Sequence, residues 1–480
     1  MTVAAGGGTG PRRYLLQTLG CPKNQVDASY IEGLMESAGY AATAVPEEAD
    51  VAIVHTCGFI EVAAQESVDA LLELGELKRR SPGMTLVASG CLAQRHGTDL
   101  ASSMPELDVV VGTRDWPALP DAIATARTGR QVVRVEELRP VDYSSLAFRA
   151  TGPATSYLKL SDGCNFRCAF CTIPSFTGDL RSKSVETILA EARRCVDEGV
   201  QELVLVAQNL TGYGRDLSTR SSLSELLRRL SAMEPGPRWI RLMYATLEGV
   251  DDELIETIAS LDRVAKYLDM PLQHVHPATL RRMKRPYSAD RALATLGKLR
   301  AAMPDLAIRS TFVVGFPGET DAEFQHLQDF LPAAGLDWVT AFAYSEEEGT
   351  VAARLSGQVP IEVRQERRRL VYAAQAPISR ARNRRLQGRT IEVLGEAVGP
   401  APRGGDVLLA RSQREAPEVD GRVVVRGLED PGMYLDRMLT VRVTTTATYQ
   451  VGAVAVPSAI PAPTVRHPLR PLAIAGSGHG

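Results

Sequence analysis

The chain has 480 residues, 44% of them hydrophobic and 23% charged, with a formal net charge of −3. This is an ordinary soluble composition long enough for about three domains, and its charge excludes a general basic nucleic-acid binder. No apolar run approaches the roughly 20 residues of a membrane span, and the first eight residues lack the charged-then-apolar order of a secretory leader. A cytoplasmic location is expected, where the seven cysteines stay reduced and read as metal ligands or catalysts before disulfides.

Residues 1–12, with Gly6, Gly7, Gly8, Gly10 and Pro11, are expected to form a disordered tail. Residues 13–145 read as a first domain. Tyr14 to Thr18, Val51 to His55, Thr85 to Ala88 and Val109 to Val111 are buried-strand runs. Between them lie helical patterns: Val26, Tyr30, Ile31, Leu34, Met35 and Ala38, stopped by Gly39, and then Val68, Leu71, Leu72 and Leu74. Such alternation predicts a parallel, doubly wound sheet. Cys21, Cys57 and Cys91 each fall just past the carboxyl end of a strand. In a parallel sheet those ends share one edge, where ligand crevices form. Three thiolates there can hold an iron–sulfur cluster with one open iron. The alternatives are three unrelated buried cysteines, or a zinc site that borrows His55 or His96. His55 reads as a packing or loop-orienting residue and His96 as a surface helix residue.

Residues 150–385 read as six strand–helix units. The strands are Tyr157 to Leu160, Leu203 to Val206, Trp239 to Leu242, Tyr267 to Met270, Ile308 to Val314 and Trp338 to Phe342; Leu223, Leu226, Leu227 and Leu230 mark one of the helices. Six units rather than eight imply a partial, laterally open barrel with its chemistry at the carboxyl ends of the strands. Cys164, Cys168 and Cys171 follow the first strand in a C-x3-C-x2-C array. Three thiolates this close can hold three irons of a cubane cluster and leave the fourth open to a small molecule. A zinc knot wants four closed ligands, and no His lies between Tyr157 and Ser182. Cys195 is the spare cysteine and falls in a helical core pattern with Val185, Ile188, Leu189, Ala192 and Val196. Residues 362–385 carry eight arginines, the signature of a solvated helix face or of an RNA contact.

Residues 386–455 change character. Thr390 to Leu394, Asp406 to Ala410, Arg422 to Val425 and Leu439 to Thr444 are short strands punctuated by Gly and Pro, which predicts a small antiparallel barrel. Between Leu386 and Gln450, eight Arg or Lys face nine Asp or Glu, a balance of −1. An RNA grip needs phosphate-neutralising charge, so this module suits a basic protein partner better. Residues 456–480 are Pro-rich and expected to be a disordered appendage.

The C-x3-C-x2-C array, with Phe170 before its last cysteine, resembles the radical S-adenosylmethionine (SAM) superfamily. Leu19 to Asn24, His55 to Phe59 and Gly90 to Arg95 resemble the N-terminal domain of the methylthiotransferase family within it, and the last module resembles a TRAM domain. Residues 411–421 and 448–452 are similar to the RimO branch, which modifies ribosomal protein, with Gln450 departing from the usual pattern. The resemblance covers roughly Arg13 to Gly452. It implies a flavodoxin-like N-terminal domain, a partial (βα)6 TIM-type radical SAM barrel and a TRAM β-barrel.

The same resemblance implies two 4Fe-4S clusters, one on Cys21, Cys57 and Cys91 and one on Cys164, Cys168 and Cys171, with S-adenosyl-L-methionine as co-substrate. It points to SAM contacts at Phe170, Gln208, Asn209, Arg181, Gly315 and Gly318; the family often has Asp where this chain has Asn209. Met270 to His274 and Arg282 to Tyr287 also match, with Gln273 and His274 expected at the cluster end and no catalytic role for either. The activity implied is methylthiolation of the β-carbon of one aspartate in small-subunit ribosomal protein twelve. An electron donor such as flavodoxin or ferredoxin is implied, no membrane, and nucleic-acid contact only as secondary. Both open irons are expected to face one cavity. Two other readings stand beside this one: a tRNA adenosine methylthiotransferase, and a non-catalytic zinc- or RNA-binding protein.

Overall fold

The computed structural model describes residues 11–135, 138–219, 221–401 and 404–456. The two expected tails lie almost wholly outside the described residues. The chain falls into two compact units. Among the described residues, one takes in those up to Arg149 together with Ile173–Gly178; the other takes in Ala150–Thr172 and those from Asp179 onward.

In the first unit the elements run β1 (Arg13–Thr18), α1 (Pro22–Ser37), β2 (Ala41–Ala42), β3 (Val51–Thr56), α2 (Glu61–Arg80), β4 (Thr85–Gly90), α3 (Cys91–Ser103), β5 (Val109–Val111), α4 (Leu119–Ala126) and β6 (Val132–Arg134). The sheet order is β2-β1-β3-β4-β5-β6, with every pair parallel. The first five strands in that order give the flavodoxin-like topology. Continuous apolar strands are what a sheet covered on both faces requires, and every residue of β3 and β4 is buried. In α2 the buried stripe is Ser67, Ala70, Leu71, Leu74 and Gly75, while Leu72 is exposed. The helix turns a small-residue face to the sheet, and Leu72 falls outside it.

The second unit begins with β7 (Thr155–Lys159) and the short antiparallel pair β8 (Ser161–Asp162) and β9 (Arg181–Ser182); the turn of helix α5 (Ile173–Thr177) lies between that pair in sequence. Then come α6 (Val185–Asp197), β10 (Glu202–Val206), α7 (Leu223–Ser231), β11 (Trp239–Leu242), α8 (Asp252–Ser260), β12 (Val264–Asp269), α9 (Pro277–Arg282), α10 (Ala289–Ala302), β13 (Ala307–Val314), α11 (Asp321–Ala334) and β14 (Trp338–Ala343). Six parallel strands in the order β14-β13-β12-β11-β10-β7 form an open sheet, the partial barrel. Its helices start on side-chain caps: Ser184, Ser222, Asp251, Ser288 and Thr320 each accept a backbone N–H three residues on.

The basic stretch forms α12 (Ile361–Arg384). It is neither a plain solvated face nor an apolar stripe. Arg367, Val371, Gln375, Ser379 and Arg382 are buried at helical spacing. Arg367 pairs with Glu319 at 3.1 Å and Arg382 with Asp337 at 2.8 Å. This helix is held to the barrel by ion pairs.

Five strands, β15 (Thr390–Pro400), β16 (Asp406–Arg411), β17 (Arg422–Arg426), β18 (Met438–Thr446) and β19 (Gln450–Ala455), close a small barrel in the order β15-β16-β17-β19-β18. It is not wholly antiparallel: β17 and β19 run parallel. β19 is a fifth strand beyond the four expected, and its Gly452 and alanines hide it from a β-propensity reading. Residues 411–420 connect this barrel to the larger one. Arg241 donates to Gln413 O at 2.7 Å, Tyr267 Oη to Asp420 at 2.7 Å, Trp338 Nε1 to Arg414 O at 2.7 Å, and Arg414 to Asp337 at 2.7 Å.

At the centre of that contact Glu202 accepts from Arg241 and Arg411, both at 2.6 Å, with all three side chains essentially dry. Burial alone would raise Glu202, but the two guanidiniums outweigh it and hold it at about 2, below the ordinary 4.5. A buried pair that loses one partner leaves an uncompensated charge. Glu202→Gln is therefore expected to destabilise this unit by about 3–5 kcal/mol in urea unfolding. The depressed folded value fixes the pH dependence: the stabilisation is complete above the unfolded value near 4.5 and is lost as pH falls toward 2. The wild-type urea midpoint should drop through that window more steeply than that of E202Q.

Candidate functional site

Three loops of the first unit carry Cys21, Cys57 and Cys91, after β1, β3 and β4 respectively. The buried Asn24 joins them. Its Nδ2 donates to Leu19 O at 2.8 Å and Thr56 O at 3.1 Å, and its Oδ1 lies 3.9 Å from Cys91 Sγ. Gly20, at φ +93°, has Cys57 against it: a Cβ there would sit 2.7 Å from Cys57 Sγ. Only glycine combines that left-handed backbone with so close an approach. Ser67 Oγ clamps the Cys57 backbone, accepting from its N–H at 3.0 Å and donating to its carbonyl at 2.9 Å, while Arg95 donates to Gly58 O. Burial pushes the Cys57 thiol up, and the neighbouring Cys21 adds to the shift. The expected convergence at one sheet edge is thus present within this unit. Cys21 caps α1 and Cys91 opens α3, so both stand at helix N-termini. His55 is buried with Nδ1 3.4 Å from Ser89 Oγ, which makes it a packing residue. His96 is half-buried at a kink in α3.

In the second unit the pair β8–β9 pinches off the loop that carries Cys164, Cys168 and Cys171. The loop is tied at several points. Asn165 accepts from Leu180 N at 3.0 Å, Arg167 donates to Cys164 O at 2.8 Å, and Ala169 exchanges backbone bonds with Met283 and Ala352. Burial pushes the Cys164 thiol up, with Cys168 beside it adding to the shift. All six cysteines are free thiols. Among the described residues no three His, Cys, Asp or Glu side chains gather round a single ion. A cubane hangs each thiolate on a different iron, and each set supplies the three free thiols that such a cluster takes.

The expected SAM contacts lie on the loops past the carboxyl ends of the strands, but not all point to a ligand. Phe170 packs edge-on to Phe316, 6.4 Å between centroids, and Phe316 belongs to the Gly-rich loop after β13. Gly315 and Gly318 both have positive φ. A Cβ on Gly315 would meet the Arg364 side chain at 2.4 Å, and Gly318 N donates to Gly357 O at 2.7 Å. Gln208 is half-buried after β10. Asn209 is buried and internally engaged: its Oδ1 accepts from Thr211 and Thr246 hydroxyls at 3.1 and 3.2 Å. Arg181 is exposed on β9. Ser184 caps α6, and Ser182 Oγ donates to Asp216 Oδ1 at 2.6 Å. His274 is fully buried, and burial pushes it down to about 3, so it is neutral.

Several residues of this region escaped the motif reading. Glu319 anchors the Gly-rich loop, accepting from Phe316 N at 3.1 Å and from Arg367 at 3.1 Å; burial pushes it up to about 7 against the pull of Arg367. Arg285 lies against Cys168, and Glu248 lies against Arg285. Arg285 lies within the run Arg282 to Tyr287 and Glu319 directly follows Gly318, but neither position signals its role, and Glu248 has no signal of its own.

Comparison with known proteins agrees along the chain. The Radical SAM superfamily matches residues 158–331, Uncharacterized protein family UPF0004 residues 13–112, and the TRAM domain residues 388–456. Ribosomal protein uS12 methylthiotransferase RimO from Chloroflexus aurantiacus is 47% identical over 92% of this chain and 98% of its own length. The protein of the same name from Myxococcus xanthus is 41% identical over 93% and 92%. The chain belongs to this methylthiotransferase family. It is a radical SAM enzyme. A solved structure of the radical S-adenosylmethionine methyltransferase TsrM from Kitasatospora setae aligns over 69% of this chain and 73% of that one, with TM-score 0.54 and 13% identity, a likeness of fold.

Cys195 stands apart from both cysteine sets of this methylthiotransferase. It is fully buried with Sγ 3.4 Å from Ser156 Oγ, and burial pushes its thiol up to about 12. In the apo-protein Cys195 should be the last of the seven cysteines alkylated by iodoacetamide at pH 8, read by peptide mass spectrometry. Cys195→Ala should leave iron content unchanged and cost about 1 kcal/mol of stability.

Proposed function

We propose that this enzyme methylthiolates the β-carbon of one aspartate of ribosomal protein uS12, in the cytoplasm, with electrons from a low-potential carrier such as flavodoxin or ferredoxin. Cys21, Cys57 and Cys91 would hold one 4Fe-4S cluster and Cys164, Cys168 and Cys171 the other. When bound, the clusters and SAM supply a radical able to remove hydrogen from an unactivated carbon, and the sulfur and methyl group that take its place. The observation that carries the reading is the gathering of the first three cysteine loops around Asn24 in a chain that also bears the C-x3-C-x2-C array.

The chain's own residues bind and position. Phe170 and Phe316 wall the cluster loop with aromatic carbon. Gly315 makes room for the Arg364 side chain and Gly318 bonds Gly357, so the glycines shape the loop beside which SAM would lie, and Glu319 with Arg367 fixes that loop's path. Gln208 is placed to bond the ribose or methionine end and the exposed Arg181 to pair with a carboxylate; Asn209 serves as a pin for its own loop. His274 is locked neutral, and burial holds the Tyr287 hydroxyl protonated, while Glu319, raised to about 7, is tied to Phe316 N and Arg367.

Recognition of a protein rather than RNA is supported by the charge balance of −1 in the C-terminal module. No helix of the described residues is long and apolar enough to cross a membrane.

A deletion strain should lose the methylthio mass shift on uS12 and keep its tRNA methylthio nucleosides. The reverse pattern would make the enzyme a tRNA-modifying relative. Anaerobically purified protein should carry about eight irons per chain; stoichiometric zinc with little iron would defeat the enzyme reading. Cys168→Ala should abolish 5′-deoxyadenosine formation. Asn24→Ala, which leaves two carbonyls without their donor, should bring iron toward four per chain and stop methylthiolation while SAM cleavage persists.

A further inference from the structure

Arg285 sits where a charge acts on sulfur. It follows α9, and Met283 two residues before it accepts the Ala169 N–H of the cysteine loop at 3.0 Å, which fixes this turn against the loop. The residue is 7% exposed, and its guanidinium carbon lies 5.0 Å from the centroid of the Phe166 ring and 5.5 Å from that of Tyr287. Between those walls Nη1 points at Cys168 Sγ, 3.6 Å away. On its other side Nη2 stands 3.8 Å from Glu248 Oε2. Both Glu248 carboxylate oxygens are buried without a hydrogen-bond partner among the described residues.

A buried arginine placed for structure alone would close on its carboxylate in a bidentate fork. Here the carboxylate is held back and the nearer acceptor is a sulfur. Hydrogen bonds to cluster sulfurs and the charge around them set a cluster's potential. Reduction adds negative charge, which a nearby cation and an N–H donor stabilise and a nearby anion opposes.

We propose that Arg285 and Glu248 form an opposed charge pair that sets the reduction potential of the cluster on Cys164, Cys168 and Cys171, Arg285 raising it through Cys168 Sγ and Glu248 restraining it. The proposal rests on the functional reading above. Both are positioning residues, since they act through the cysteine and the field around it.

The test is an EPR-monitored redox titration of the full-length chain carrying C21A, C57A and C91A, which leaves one cluster. That parent should hold about four irons; a parent without iron would sink the functional reading and not merely this pair. Arg285→Met should reduce the reduced-to-oxidised ratio about tenfold at fixed poise, a midpoint about 59 mV lower for a one-electron couple. Glu248→Gln should move the midpoint the other way. Arg285→Lys keeps the charge without the planar fork, so it should fall between parent and R285M, and it carries the test should R285M fail to load iron. Opposite shifts with iron retained support the pair. Unchanged midpoints, shifts of the same sign, or loss of the cluster from R285M and R285K alike would overturn it, the last by showing a purely structural role.

Discussion

A parallel sheet delivers the carboxyl end of every strand to one edge, and both cysteine sets depend on that constraint. In the first unit it lets residues spaced by dozens of positions in the chain arrive at one place: the loops after β1, β3 and β4 meet because those three strands are neighbours in the order β1-β3-β4. The sheet supplies only coarse proximity. The final approach comes from Asn24, whose amide bridges the carbonyls of Leu19 and Thr56, and from Gly20, which lets Cys57 come closer than any side chain would allow. In the second unit the topology does less and local ties do more, because all three cysteines already share one loop pinned by Asn165, Arg167 and Ala169.

That difference explains what could be read from the sequence. The six strands of the larger sheet and the four inner strands of the first are near-continuous apolar runs, so their parallel arrangement followed from alternation with helices; the edge strands β2 and β6, two and three residues long and partly exposed, carry no such run and escaped it. The cysteines were visible because thiols are rare and their positions after strands repeat. Asn24, Ser67 and Glu248 were not, because a polar residue becomes a buried bridge only through partners far away in the chain: Asn24 reaches Thr56, and Ser67 clamps Cys57. The same reason hid the nature of α12. Its buried stripe contains Arg367, Gln375, Ser379 and Arg382, which a hydrophobic-periodicity reading scores as solvent. The parallel β17–β19 pair was illegible for another reason: nothing local distinguishes a closing strand from a turn-rich tail.

Charge in the C-terminal module takes on a different meaning once burial is known. Arg411, Arg414, Glu415 and Asp420 are turned into the larger barrel or into their own turn, where Arg411 meets Glu202, Arg414 meets Asp337 and Asp420 meets Arg309 and Tyr267. Two cations and two anions thereby leave the surface together. Because equal numbers of each sign turn inward, their removal does not shift the balance of −1 counted from the sequence. The segment 411–420 acts as the ionic latch of the second unit. Buried ion pairs of this kind are poor sources of net stability compared with apolar packing; what they confer is a single register, since a shift of one residue would leave several charges dry and unpaired.

The cluster end of the same barrel is built on an opposite principle. There the polar groups are kept from pairing fully: Arg285 lies against the Phe166 and Tyr287 rings with Nη2 3.8 Å from Glu248 Oε2, beyond hydrogen-bond reach, and the Glu248 carboxylate has no hydrogen-bond donor among the described residues. A fully satisfied ion pair would screen itself and exert little field on a neighbour. A separated pair in a medium of low dielectric remains a dipole, and one whose cationic end touches Cys168 Sγ acts on that sulfur directly. The latch is tight where a fixed shape is needed, and the pair is open where a charge must act on something other than its own partner.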